Sequence, residues 1–135
     1  MASATVKAAV QARLQDWLGR AGCPFHDEND AAPAPKTQYL TIEYPVANED
    51  RISIGARPAL FRETGAIRFV VHILNMSGLD DAMALVETLR DFFREQKFGS
   101  VETFEASPPV LDKTNRARAF YLLPFVVTYK FDQIR

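Results

Sequence analysis

The sequence predicts an α+β fold: a four- or five-stranded, mostly antiparallel sheet with two helices on one face, in the order α-β-β-β-α-β-β. Three observations predict it. Apolar residues recur at helical spacing in two separated segments, residues 4–18 and 79–93. Between and after those segments they alternate with period two, over the longest distances at 61–74 and 118–131. Proline- and glycine-punctuated stretches divide the runs.

The first helix carries Val6, Ala9, Val10, Arg13, Leu14 and Trp17 on one stripe, and only Arg13 breaks its apolar character. Ser3 or Thr5 can cap its start, and Gly19 or Gly22 can end it. CPFHDENDAAPAPK then reads as a polar loop. Its His26, Asp27, Glu28 and Asp30 lack the glycine and terminal glutamate of a calcium loop, and four adjacent polar residues there read as solvated.

QYLTIEYP alternates, with Leu40, Ile42 and Tyr44 on one side and Thr41 and Glu43 on the other, and is expected to end at Pro45. RISIG is a short strand-like run and GARPA a break. From Phe61 to Leu74 the alternation is long, and from Ile67 onward its odd face is wholly apolar, as a central strand requires. Glu63 and Gly65 are expected to project beyond the core.

RFVVHILNMSGLDDAM (68–83) places His72, Ser77, Asp80 and Asp81 within ten positions, where the period changes from two to 3.6. Helix-start chemistry accounts for three of them. Ser77 stands at the expected N-cap, Asp80 at the capping-box position, and both aspartates in the first turn, where the helix dipole favours them by about 0.3–1 kcal/mol each. His72 lies on the less apolar strand face, and no nucleophile-elbow motif joins it. In the segment that follows, Leu79, Ala82, Met83, Val86, Leu89, Phe92 and Phe93 repeat at helical spacing, with Arg90 and Arg94 near its end.

VETFEA is a further strand, and PPVLDKTNRARA is loop-like with a turn at DKTN. The last strand turns Ala119, Tyr121, Leu123, Phe125, Val127, Tyr129 and Phe131 one way. Pro124 within it calls for a bulge or a free side. Val70, Leu74, Phe120, Leu122 and Val126 point to the second sheet face, which two helices on the first face leave open for a partner.

Composition bounds the rest. The 135 residues suit one domain, 1–135, with 47% apolar and 24% charged residues. A net charge of −1 gives no electrostatic footprint for nucleic acid or an anionic membrane. Cys23 is the sole cysteine, so no internal disulfide forms. No signal-type or membrane-spanning stretch is present, so a soluble, non-secreted protein is expected. The glycines are scattered without a phosphate-binding pattern, and two histidines with one cysteine are thin for zinc. These features point to no enzyme, no cofactor and no metal. Arginines gather at Arg51, Arg57, Arg62 and Arg68, and again at Arg116 and Arg118, as a solvated hairpin end or as anchors for a protein partner.

The order of elements resembles the tail terminator proteins of long-tailed bacteriophages and phage-like gene transfer particles. The resemblance rests on VKAAVQARLQDWLG, QYLTIEYP, RFVVHIL running into SGLDDAMALVETLRDFF, and the closing FVVTYKF, and it covers nearly the whole chain. It implies a non-enzymatic virion protein that forms a ring, in this family six-fold, on the tail tube. Such a ring ends tube polymerisation and joins the tail to the head connector or neck protein, and DNA passes through its channel without sequence-specific binding. On that reading the interface candidates are Arg57, Phe61, Arg62, Arg116, Arg118, Phe120 and Leu122, chosen from geometry rather than from a family motif. Other readings stay open: a different ring-forming neck part, or a small α+β ligand-binding or regulatory domain that dimerises through its open sheet face.

Overall fold

The computed structural model describes residues 2–27, 38–55, 58–74, 79–111 and 120–134. Its elements are α1 (Ala4–Leu14), a 3-10 turn (Leu18–Ala21), β1 (Tyr39–Arg51), β2 (Leu60–Leu74), α2 (Asp80–Phe93), β3 (Lys97–Phe98), β4 (Val101–Ala106) and β5 (Phe120–Ile134). The strands form one antiparallel sheet in the order β1-β2-β5-β4-β3. Class and layout are those the sequence predicts. The element order is α-β-β-α-β-β-β, with two strands rather than three between the helices.

The difference comes from β1. It does not stop at Pro45 but continues to Arg51, and a register shift between Glu43 and Val46 accommodates the proline. A residue without an N–H is tolerated at a bulge in an edge strand, and β1 is an edge. Of RISIG only Arg51 lies in a strand, and the bond from Ile52 N–H to the Leu60 carbonyl (2.9 Å) closes the hairpin ladder. Just past the bulge sits Gly65, paired with Ala47, whose absent Cβ makes room for close approach. A Cβ there would stand 2.2 Å from the Val46 carbonyl oxygen and 3.0 Å from the Tyr129 ring.

β2 and β5 pair without a shift from Leu60↔Ile134 to Leu74↔Phe120. Pro124 fits because β4 has already left its side. β4 bulges between Thr103 and Ala106, and the extended residues after it bond back through Ser107 N–H to the Val126 carbonyl and Val110 N–H to the Pro124 carbonyl. The free side expected for Pro124 is therefore the side facing Ser107–Val110.

One face of this sheet makes the core. Leu40, Ile67, Phe69, Val71, Leu123, Phe125, Val127 and Val101 meet Val6, Val10 and Leu14 of α1 and Ala82, Val86, Leu89 and Phe93 of α2. Phe69 is its centre, with ring centroids 4.6 Å from Phe93 and 5.1 Å from Phe125. Burial of this apolar surface is the main stabilising term.

α1 is shorter than the 4–18 that periodicity predicts. Ser3 Oγ accepts from Val6 N–H at 3.5 Å, the cap the sequence suggests. After Leu14 the chain tightens through Asp16 N–H to the Arg13 carbonyl and Trp17 N–H to the Leu14 carbonyl. Trp17 is extended, yet only 4% exposed, so it joins the core from outside the helix. Arg13, the break in the apolar stripe, ties the helices together: its guanidinium donates to the Phe92 carbonyl at 2.7 and 3.2 Å and lies 4.1 Å over the Phe92 ring. α2 begins at Asp80, with Leu79 in the cap position and no side-chain cap bond, and Asp80 and Asp81 in its first turn. Ser77 lies outside the described residues.

Glu63, expected to project beyond the core, is 7% exposed. The start of α1 reaches it: Glu63 Oε2 accepts from Tyr129 O–H at 2.7 Å and from Ser3 N–H at 3.3 Å. Tyr129→Phe is expected to destabilise the fold by about 1–2 kcal/mol, because it leaves a buried carboxylate short of a donor.

Tyr129 also sets an alkaline limit. Burial, and then its bond to Glu63, raises its phenol above the ordinary range; burial and Asp27 do the same for Tyr44, and burial pushes the Cys23 thiol up to about 12. All three stay neutral in the fold where the unfolded chain would ionise them. Their contribution is complete below the ordinary values of 9.0 and 10.0 and is lost as pH rises past them. The urea midpoint should hold from pH 7 to about 8.5 and fall above pH 9, less steeply in Tyr129→Phe. An unchanged midpoint at pH 10.5 would show that these groups remain solvated.

Candidate interaction surfaces

The face of the sheet away from the helices is mostly an ionic ladder. Arg62 on β2 grips Asp132 on β5 through two bonds, 2.8 and 3.0 Å, and holds that carboxyl below its usual range. Arg68 pairs with Glu43 at 2.5 Å, and Lys130 with Glu102 at 3.3 Å. The side chains are about a third exposed, so each pair adds little stability and chiefly fixes cross-strand register.

Arg62 therefore comes to this face already paired, rather than free for a partner. Phe61 is half-buried, between Arg51 and Gln133 in the ladder. Leu122 is half-buried opposite His72. Leu122 and Asp132, the partner of Arg62, stand ten residues apart on β5 (122 to 132), roughly 33 Å along an extended strand. The sheet thus separates the predicted residues into two ends instead of gathering one site. Phe120 opens β5 opposite Leu74, and its side chain lies outside the described set. Arg57, Arg116 and Arg118 lie outside the described residues.

The apolar strip expected on this face is partly closed. Val70 sits between Thr41 and Pro124 in register, with Arg68 and His72 beside it on its own strand, and is 2% exposed. His72 is engaged too: its Nε2 lies 3.0 Å from Thr41 Oγ1, and its ring stacks on Tyr39 at 4.2 Å. Tyr39 also takes the edge of His26 at 5.9 Å. Among the described residues no group of three or more histidine, cysteine, aspartate or glutamate side chains is placed to hold a metal ion, and no helix is long and apolar enough to cross a membrane.

Two surfaces stand out that sequence reasoning missed. The first is the tip of the β1–β2 hairpin, where Ile54 is wholly exposed, Ile52 is 42% exposed, and Ile134 at the end of β5 is 71% exposed. The isoleucines of RISIG were the available signal, read above only as part of a short strand-like run. The second is a groove of about 720 Å³ between the 3-10 turn and α2, floored by Trp17, Leu85 and Phe92 and rimmed by Leu18, Asp16 and Asp91. Gly19 permits its depth, since a Cβ there would lie 2.4 Å from the Trp17 ring and 2.9 Å from Leu85.

Fold and surfaces together describe a small α+β subunit with one sheet face covered by helices and apolar side chains displayed at the end of a long hairpin. The chain belongs to the phage tail terminator family: the family model described as phage tail terminator protein matches residues 5–115. It is thus a structural phage protein of tail completion, a component of the virion tail that interacts with other tail or head proteins. Twelve solved chains match it. One is similar over 100% of this chain and 96% of its own length, with 19% identity and a TM-score of 0.61, a likeness of fold. No curated protein matches the sequence.

Proposed function

We propose that copies of this chain, each a single domain over 1–135, form a ring of six at the head-proximal end of the tail. The ring would end polymerisation of the tail tube and join the tail to the head connector or neck protein, with DNA passing through its channel, and it needs no catalytic group or cofactor. Assembly takes place in the host cytoplasm. The observation that carries the reading is the exposed Ile52, Ile54 and Ile134 at one end of the sheet, an apolar display that rewards a subunit only when something covers it. Family membership supports the setting, since the partners of a tail protein are other tail or head proteins.

Arg57, Phe61, Arg62, Arg116, Arg118, Phe120 and Leu122 are the residues we assign to contacts in the ring, with Arg62 entering as the Arg62–Asp132 pair. The test is capping. Tail-tube protein polymerised with increasing amounts of this chain should give progressively shorter tubes, each ending in a six-fold ring in negative-stain images. Tubes of the same length with and without the chain would defeat the proposal. His72→Ala should cap as the parent does.

A further inference from the structure

We infer that the hairpin tip of one copy docks into the groove between the 3-10 turn and α2 of a second copy. The inference rests on the ring reading and names the contact that would build it.

The two surfaces are complementary in polarity and charge, and they share no residue. The tip is aliphatic, with Ile54, Ile52 and Ile134 exposed at the end of the sheet. The groove is concave and lined by Trp17, Leu85 and Phe92, with room for more than one aliphatic side chain, and Leu18 stands beside it at 95% exposure. At the tip, Arg51 donates to the carbonyls of Ser53 and Gly55, and among the described residues it has no carboxylate partner. At the groove rim, Asp16 takes part in none of the salt bridges formed among the described residues, although its charge acts on Arg13; the lining carries two carboxylates, Asp16 and Asp91, against that one guanidinium. A cation without a carboxylate at the tip and an excess of carboxylates at the groove give the docking its register.

The tip cannot fill the groove of its own chain. The β2–β5 ladder is unbroken to Leu60↔Ile134, which holds the tip in the sheet, whereas the groove opens within the helical layer. Each copy therefore gives a tip and receives one. Such a contact is heterologous: it propagates from copy to copy and closes into a ring when the rotation allows.

Cysteine trapping tests the contact at any association strength. Ile54→Cys and Leu18→Cys change exposed positions that the fold does not need, and the native Cys23 is 1% exposed. Mixed under mild oxidation, the two variants should form the Ile54–Leu18 disulfide at least about tenfold faster than either forms like-with-like pairs, because docking raises the effective concentration of the two thiols. Adding Arg51→Asp or Asp16→Arg should each slow that cross-link, and the two reversals together should restore it. Equal rates for mixed and like pairs, or no rescue by the double reversal, would overturn the contact.

The ring itself is scored separately. Rings that still cap tubes when built from Ile54→Asp or Leu18→Asp would leave the ring standing and remove this contact. Selective Ile54–Leu18 cross-linking in a protein that never caps tubes would support the contact and remove the ring.

Discussion

Phe69→Ala is expected to lower the folding free energy by about 3–5 kcal/mol, the range for removing a large aromatic side chain from a core. Phe69 is 0% exposed and lies between the rings of Phe93 and Phe125, so one deletion strips contacts from α2 and β5 together. Its strand is paired on both sides, with β1 and β5, and cannot shift to fill the cavity. Against a typical total of about 5–15 kcal/mol, that loss leaves the fold marginal. Urea unfolding followed by circular dichroism measures it. Phe104→Ala, at 37% exposure, is the control and should cost under about 1 kcal/mol. Equal losses at the two positions would mean that the aromatic centre does not organise the core.

Gly65→Ala is expected to cost about 3 kcal/mol, the upper end for overpacking, although it adds a single methyl group. The methyl carbon would stand 2.2 Å from a backbone oxygen, Val46 O, which no rotamer change can move. Relief requires β1 to withdraw at its bulge or Tyr129 to give way, and Tyr129 is held by Glu63. The damage should therefore centre on the hairpin. Hydrogen exchange should rise at Val46–Arg51 and stay low at Phe69–Val71. A variant as stable as the parent, with unchanged exchange, would mean that the two strands do not approach this closely.

Much of the fold is legible in the sequence because burial is periodic. The odd residues of β2 and β5 and the stripe of α2 need only the geometry of strands and helices to be assigned to the core face. The second half of β1 is not legible in this way. Asn48, Glu49, Asp50 and Arg51 carry no apolar alternation, and they are strand because backbone pairing with Phe61–Thr64 holds them. β3, at two residues, is below what any pattern can mark.

The same limit explains the site residues. Sequence spacing put Arg62 on an exposed face, but only the register shows Asp132 across from it. Glu63 looked too polar for the core until Tyr129 and the Ser3 amide arrived from 66 and 60 residues away. Trp17 lay on the helical stripe, and its burial was predicted correctly although the helix ends before it. The tip isoleucines and the groove depend on where elements meet, information that local periodicity does not contain.

The two margins of the sheet have a consequence for how the chain behaves in a crowded cell. An open strand margin is a template on which another polypeptide can grow, the route to fibrous aggregates. One margin here is β3, two residues long, and the other is β1, bent at Pro45 and carrying Glu49, Asp50 and Arg51 in its outer half. A shift in register disfavours regular pairing, charged side chains keep the edge hydrated, and a two-residue strand offers too little backbone to seed growth. Strand-on-strand growth from either margin is thereby disfavoured, whatever contacts the subunit makes elsewhere.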